Sequence, residues 1–269
     1  MESAGRGSGR DAERAGRTLL VAVAHPDDEL GAAGSILAQR ARGDRVVILW
    51  LTRGEMTEAF GPVPREEVIE RRRKMGERAG EILGAETRFL DFPDTAVEAT
   101  PEAARRVARV IAEVEPDGVV TFGRAWVRGF RHPDHQATGK IVRDAITLAR
   151  IRRAVDPLEP HRGFAPVFTY RDVHSRLPPV AVDVEPHMDR LLELARLYSE
   201  GIGFGDPAWV KRRLRTLGER HGLRYAEEFE AWETEPGRAR ALLPAEPAPS
   251  PEHPDDLGEE AGGTRGIGR

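Results

Sequence analysis

The sequence predicts a three-layer α/β/α sandwich on a mostly parallel sheet, with a C-terminal extension of helices and short strands. Three observations carry this expectation. Strand-like and helix-like segments alternate four times between residues 18 and 151. The strand-like segments are apolar at nearly every position, not at every second one, as strands covered on both faces require. Polar residues able to do chemistry collect just after these strands, where such sheets bind ligands.

The elements follow in order. Thr18 to Ala24 reads as a buried strand, and Leu30 to Ala41 as the helix after it, opened by the small residues Gly31 to Gly34. Gly43-Asp44 turns the chain into a second strand, Arg45 to Leu51, which ends in the polar loop Thr52-Arg53-Gly54-Glu55. Arg65 to Leu83 is a charged helix with a stripe of Val68, Met75, Ala79, Ile82 and Leu83. Thr87 to Leu90 is a short strand leading to Asp94. Thr100-Pro101-Glu102 is a helix start: N-cap, proline at the first position, acid in the first turn. Gly118 to Phe122 is the fourth strand, and Gln136 to Ile151 the helix beyond it. Pro166 to Tyr170 and Pro179 to Val184 read as shorter strands, Pro186 to Ser199 and Pro207 to Arg220 as helices. Residues 17–233 form one catalytic domain in this reading. Residues 1–16 and 234–269 are expected as disordered tails, because their Gly, Pro and charge content gives no apolar periodicity.

Composition removes several function classes. A net charge of −4 gives no reason to expect nucleic acid as a partner. With no cysteine, disulfides and thiolate metal sites are excluded, and a metal must use His, Asp or Glu. No apolar run reaches the roughly 20 residues of a membrane span, and the Gly/Arg-rich N-terminus has no signal-peptide core. A cytoplasmic location is the expectation.

Two clusters carry the chemistry. Ala24-His25-Pro26-Asp27-Asp28-Glu29 sits between the first strand and its helix, and His132-Pro133-Asp134-His135 follows the fourth strand. A catalytic zinc takes three protein ligands and keeps one position open. A tight turn can aim His25 and Asp28 at one ion, with Asp27 beside the open position. One imidazole of the second cluster can complete the set while the other faces the substrate, and Asp134 can orient either. The reaction is then hydrolysis of an amide or ester, with Asp27 as general base. Glu29 is left to the helix dipole. Arg71 to Lys74 reads as a solvated helix face offset by Glu66, Glu67, Glu70 and Glu77. Trp126 and Phe130 are candidates either to stack on a substrate ring or to anchor their loop, and Asp94 either to bond a substrate hydroxyl or to cap a loop. No Gly-x-Gly-x-x-Gly follows the first strand, which argues against a non-catalytic dinucleotide binder.

Both clusters resemble the signatures of the LmbE/PIG-L family of zinc-dependent N-deacetylases, and weaker agreement extends over about residues 18 to 150. The resemblance implies a Rossmann-like fold and removal of acetyl from N-acetylglucosamine-type sugars or their conjugates. It implies His25, Asp28 and His135 as ligands of Zn2+, or of Fe2+ or another divalent metal. Asp27 would be the base, His132 the electrophilic or acid partner, and Arg72 a contact to the sugar. A related alternative is an amidase acting on a thiol–sugar conjugate. The chain departs from the family at Met75, where a glutamate is common, and at Phe130, where some members carry tyrosine. The family's later His-x-Ser-Gln segment is represented only by Leu197-Tyr198-Ser199-Glu200.

Overall fold

A computed structural model describes residues 16–123, 132–172 and 175–245. Eight strands form one mixed sheet: β1 (Thr18–Val23), β2 (Arg45–Thr52), β3 (Glu86–Phe92), β4 (Gly118–Phe122), β5 (Val167–Tyr170), β6 (Pro179–Asp183), β7 (Ala226–Ala231) and β8 (Gly237–Ala239). Their order is β3-β2-β1-β4-β5-β7-β6-β8. The first five are parallel, β7 runs antiparallel to both β5 and β6, and β8 is parallel to β6. The helices are α1 (Ala33–Ala41), α2 (Arg65–Leu83), α3 (Pro101–Val114), α4 (Pro133–Ala149), α5 (Arg152–Val155), α6 (Met188–Ile202) and α7 (Pro207–Arg220).

Side chains alternate across a strand, so β1 feeds two cores. Leu19, Val21 and Val23 join one core with residues of α1, α2, α6 and α7, while Leu20 and Ala22 join the other with residues of α3 and α4. This double burial explains the continuous apolar runs. Thr100 caps α3 as the sequence predicts, its side chain accepting the Ala103 N–H. Among the described residues no helix is long and apolar enough to cross a membrane.

The C-terminal part departs from expectation. Ala226-Glu227-Glu228-Phe229-Glu230-Ala231, outside the elements expected from the sequence, forms a strand between β5 and β6 with Glu227 and Glu230 buried. Each buried acid is satisfied by donors. Glu230 accepts the Arg176 and Leu177 N–H groups at 2.7 and 3.0 Å. Glu227 accepts the N–H groups of Gly34 and Ser35, both at 2.8 Å, and the Ser35 hydroxyl at 2.7 Å. These are free N–H groups in the first turn of α1, whose N-cap position, Ala32, has no side chain to serve them. Glu227→Gln puts an amide N–H2 against an N–H donor, and is expected to lower unfolding free energy by about 1–3 kcal/mol in denaturant titration.

The expected tail from 234 also starts too early. Gly237–Ala239 pairs with β6, and Leu243 is fully buried against Gly118. Leu243 accepts a hydrogen bond from Arg42 and donates one to Gln39 at 3.2 Å. Burial of one such leucine contributes about 1.5–3 kcal/mol, enough to order a short segment that composition alone reads as polar.

Candidate active site

Strand order places the site. β1 lies between β2 and β4, so the connections leaving β1 and β4 diverge to opposite faces of the sheet. At that switch point the carboxyl ends leave a crevice. His25 leaves the end of β1, and His132 to His135 follow β4, so the two clusters meet there.

After β1 the chain makes a tight 3-10 turn over Asp28–Ala32. The Asp28 carboxylate folds back to accept the His25 N–H at 2.7 Å, and the Tyr170 hydroxyl donates to the Asp28 carbonyl at 3.1 Å. His25 and Asp28 are thereby fixed on one side. Helix α4 begins at Pro133, three residues earlier than the sequence indicates, with His132 as its N-cap and His135 in its first turn. Gly139 permits this close seating, since a Cβ there would lie 2.6 Å from the Phe122 carbonyl oxygen. The Phe122 ring stacks on His135 with 4.3 Å between centroids.

Donor atoms of three residues converge, Asp28 offering a different oxygen to each histidine. His25 Nδ1 lies 3.3 Å from Asp28 Oδ2, His135 Nε2 lies 3.0 Å from Asp28 Oδ1, and the two imidazole nitrogens are 3.3 Å apart. A tetrahedral ion bound at about 2.0–2.1 Å needs ligand–ligand edges of about 3.3 Å. Donor type and close spacing suit a divalent ion, with no cysteine in the chain to alter the choice, and ligand atoms of His25, His132 and His135 also lie within 4.8 Å of one another. Burial disfavours charge on Asp28. The charge of His135, its hydrogen bond, and then that with His25 hold the carboxyl well below the usual range all the same.

The far side of His25 meets two further acids. Nε2 contacts Asp134 Oδ2 at 3.0 Å and Asp94 Oδ1 at 3.1 Å. Asp134 is itself fully buried and accepts the Thr95 and Val97 N–H groups at 2.7 and 3.1 Å. Asp94 accepts the Met56 N–H at 2.8 Å. Burial works against a charged His25, but hydrogen bonds to Asp134, Asp28 and Asp94 push it up to about 12. Carboxylates at Nε2 leave Nδ1 as the nitrogen open to an ion and raise its basicity. Two expectations change here. The Asp134 side chain orients His25, not His132 or His135, and Asp94 has both oxygens engaged by protein donors, so it supports His25 instead of waiting for a sugar hydroxyl. Asp94→Asn is expected to weaken zinc binding about 10–100-fold in chelator competition.

His132 is half-buried at the mouth, its ring 4.6 Å from that of His25. The Asp134 N–H donates to its Nδ1 at 3.2 Å. That bond selects the neutral tautomer with the proton on Nε2. Burial first, and then the positive charge of His25, lower its pKa. His132 thus presents Nε2 toward the mouth as its available hydrogen-bond donor.

Asp27 stands beside these donors with φ at 150°, a left-handed geometry that costs a non-glycine residue about 1–3 kcal/mol. Arg72 Nη2 donates to its Oδ2 at 2.8 Å. Burial and then the Asp28 charge push the Asp27 carboxyl up to about 6, against the pull of Arg72. Arg72 is itself buried, pressed on Gly54, where a Cβ would stand 2.6 Å from its Nε. Its Nε and Nη1 have no hydrogen-bond partner among the described residues.

Glu29 is fully buried and does not serve the helix dipole. It accepts hydrogen bonds from Trp50, Tyr198 and the Asp27 N–H. Sequence reasoning also passed over Glu55, which is buried, pairs with Arg65, and keeps Oε2 without a partner among the described residues. An acid in the loop after β2, on the ligand side of the sheet, was the available signal. Trp126 and Phe130 lie outside the described residues.

A sheet and site of this kind define a class: metal-binding hydrolases of amide bonds on a parallel α/β core. The chain belongs within that class to the family described as PIG-L: GlcNAc-PI de-N-acetylase, whose profile matches residues 20–146. It is 31% identical over 224 residues to a diacetylchitobiose deacetylase of Thermococcus kodakarensis, covering 78% of this chain and 81% of the relative. It is 32% identical over 203 residues to a probable N-acetyl-alpha-D-glucosaminyl L-malate deacetylase 2 of Bacillus anthracis, covering 69% and 88%. Among solved structures, the conserved protein TT1542 of Thermus thermophilus superposes with a TM-score of 0.67 at 32% identity, covering 80% of this chain and 94% of that one.

Proposed function

We propose that this chain hydrolyses the N-acetyl group of an N-acetylglucosamine-type sugar or conjugate, with a divalent ion held by His25, Asp28 and His135. The observation that carries the reading is the convergence of His25 Nδ1, His135 Nε2 and the two Asp28 oxygens at separations of 3.0–3.3 Å, beside a raised carboxyl. Zinc is the metal this donor set favours, and iron or cobalt are also compatible with it. When bound, the ion supplies a Lewis acid and makes water acidic enough to act as a nucleophile near neutral pH.

The protein's own groups do the rest. Asp27, ionised above its raised pKa, takes the proton of the attacking water. Arg72 holds one Asp27 oxygen and so leaves the other free to face that water. His132 Nε2–H donates to the substrate carbonyl oxygen as negative charge grows there. The proton gathered by Asp27 is available to the departing amine, which leaves neutral. The buried donors of Arg72 and the free Glu55 oxygen suit sugar hydroxyls, which need both donors and acceptors. Trp126 and Phe130 remain candidates for a stacking face.

Zinc-loaded protein assayed against N-acetylglucosamine, diacetylchitobiose and N-acetylglucosaminyl malate is expected to release acetate and free amine in equal amounts from at least one. Free amine without acetate from a sugar conjugate identifies the amidase alternative. Absence of free amine from every N-acetyl sugar rejects the deacetylase reading.

A further inference from the structure

The carboxylate of Glu29 takes no part in the chemistry above, yet it is built into the floor of the site. It is fully buried. Its Oε2 accepts the Asp27 backbone N–H at 3.0 Å and the Trp50 indole N–H at 2.9 Å, and its Oε1 accepts the Tyr198 hydroxyl at 2.5 Å. Trp50 comes from β2 and Tyr198 from α6, 169 residues from Glu29. Tyr198 belongs to Leu197-Tyr198-Ser199-Glu200, the segment that departs from the family pattern.

We propose that Glu29, anchored by Tyr198 and Trp50, is a positioning residue that holds Asp27 in its strained backbone geometry and so aims the catalytic carboxylate. This rests on the reading of Asp27 as base. Two side chains grip Asp27, and its carbonyl also accepts the Leu30 N–H at 3.1 Å. Arg72 fixes the end of its side chain at 2.8 Å, and Glu29 fixes its backbone N–H, at a residue whose φ is 150° and ψ is −23°. An unfavourable backbone conformation persists only where its surroundings hold it. The Asp27 N–H is the backbone handle open to a side chain, and Glu29 is its partner. For stability alone an apolar side chain of similar volume at position 29 would serve as well or better. Three donors converging on that carboxylate have their explanation in orientation. The anchors are rigid in turn, since Trp50 and Tyr198 are both fully buried. The C-terminal helix α6 thereby reaches the catalytic turn through one hydroxyl and completes the floor of the site.

Tyr198→Phe removes only the hydroxyl and keeps the packed ring, so it is the primary variant, with Trp50→Phe as the second. Tyr198→Phe is expected to lower kcat about tenfold, to leave KM within about twofold, and to retain one equivalent of zinc, a general-base step being worth about 10²–10⁴ in all. Hydrogen exchange at the Asp27 amide is expected to speed up in the same variant, a change read without any substrate. In an Asp27→Asn background the residual rate is expected to be unchanged by Tyr198→Phe, since residues acting as one unit are not additive. Unchanged kcat and unchanged Asp27 exchange in both variants overturn the proposal, and so does loss of zinc or a full additive effect in the Asp27→Asn background. The two readings fail differently. Wild-type activity in Asp27→Asn alone rejects Asp27 as base, whereas an inactive Asp27→Asn beside a fully active Tyr198→Phe rejects only the role of Glu29.

Discussion

Replacing His25 with alanine is expected to strip the protein of its divalent ion and of all measurable hydrolysis. In the proposed site Nδ1 supplies one of three ligands, and its removal leaves Asp28 and His135 as a pair where a catalytic zinc needs three. The same change has a second consequence on the other side of the ring. Asp94 and Asp134 both contact His25 Nε2, and Asp134 is fully buried. Without the imidazole these two carboxylates face each other with no cation between them. Removing one partner of a buried ion pair costs about 3–5 kcal/mol. His135→Ala provides the control, because it deletes a ligand and leaves the Asp94–His25–Asp134 contacts in place. Elemental analysis should therefore find no zinc in either variant, while denaturant unfolding in chelator should show the large destabilisation in His25→Ala alone. One equivalent of zinc in purified His25→Ala would make the ligand assignment wrong.

Asp27→Ala is expected to behave in the opposite way, keeping its zinc and losing about 10²–10⁴ in kcat, the usual contribution of a general base. Asp27 pairs with Arg72 and lies outside the cluster of donor atoms, so ion uptake does not require it. The pH dependence follows from the sign of its shift. Burial raises the Asp27 carboxyl to about 6. A base works only when deprotonated, so kcat of the wild-type protein is expected to fall as pH drops through that region. Arg72 acts to lower the Asp27 pKa, through its charge and through its hydrogen bond. Arg72→Met is therefore expected to move the acidic limb of the profile to higher pH. A limb that stays in place in Arg72→Met, measured over pH 5 to 8, would show that another group controls it.

Legibility differed between the two halves of the chain for physical reasons. Parallel strands buried on both faces leave continuous apolar runs, so β1, β2 and β4 could be read directly, as could the capped start of α3. Strand β7 could not. It carries Glu227 and Glu230 into the interior because backbone N–H groups from α1 and from residues 176–177 await them there. A buried acid is tolerable only beside its donors, and those donors are 193 and 54 residues away. Residues 237–243 were misread for a similar reason, since a few apolar contacts with distant elements outweigh a polar composition.

The site divides in the same manner. His25, Asp27, Asp28, His132, Asp134 and His135 could be selected from sequence because local chemistry marks them: histidines and acids crowded at strand ends. Their partners could not be. Asp134 turns its carboxylate to His25, 109 residues away, and Glu29 leaves its helix to meet Trp50 and Tyr198. By itself the sequence determined that this is an α/β protein with two reactive turns and a donor set suited to a divalent ion. Only the tertiary structure decided that those turns share one ion-sized cluster of donors, because convergence depends on β1 and β4 being neighbours in the sheet. It also decided which acid serves which histidine, since a hydrogen bond is set by distance and direction in space, and separation along the chain encodes neither.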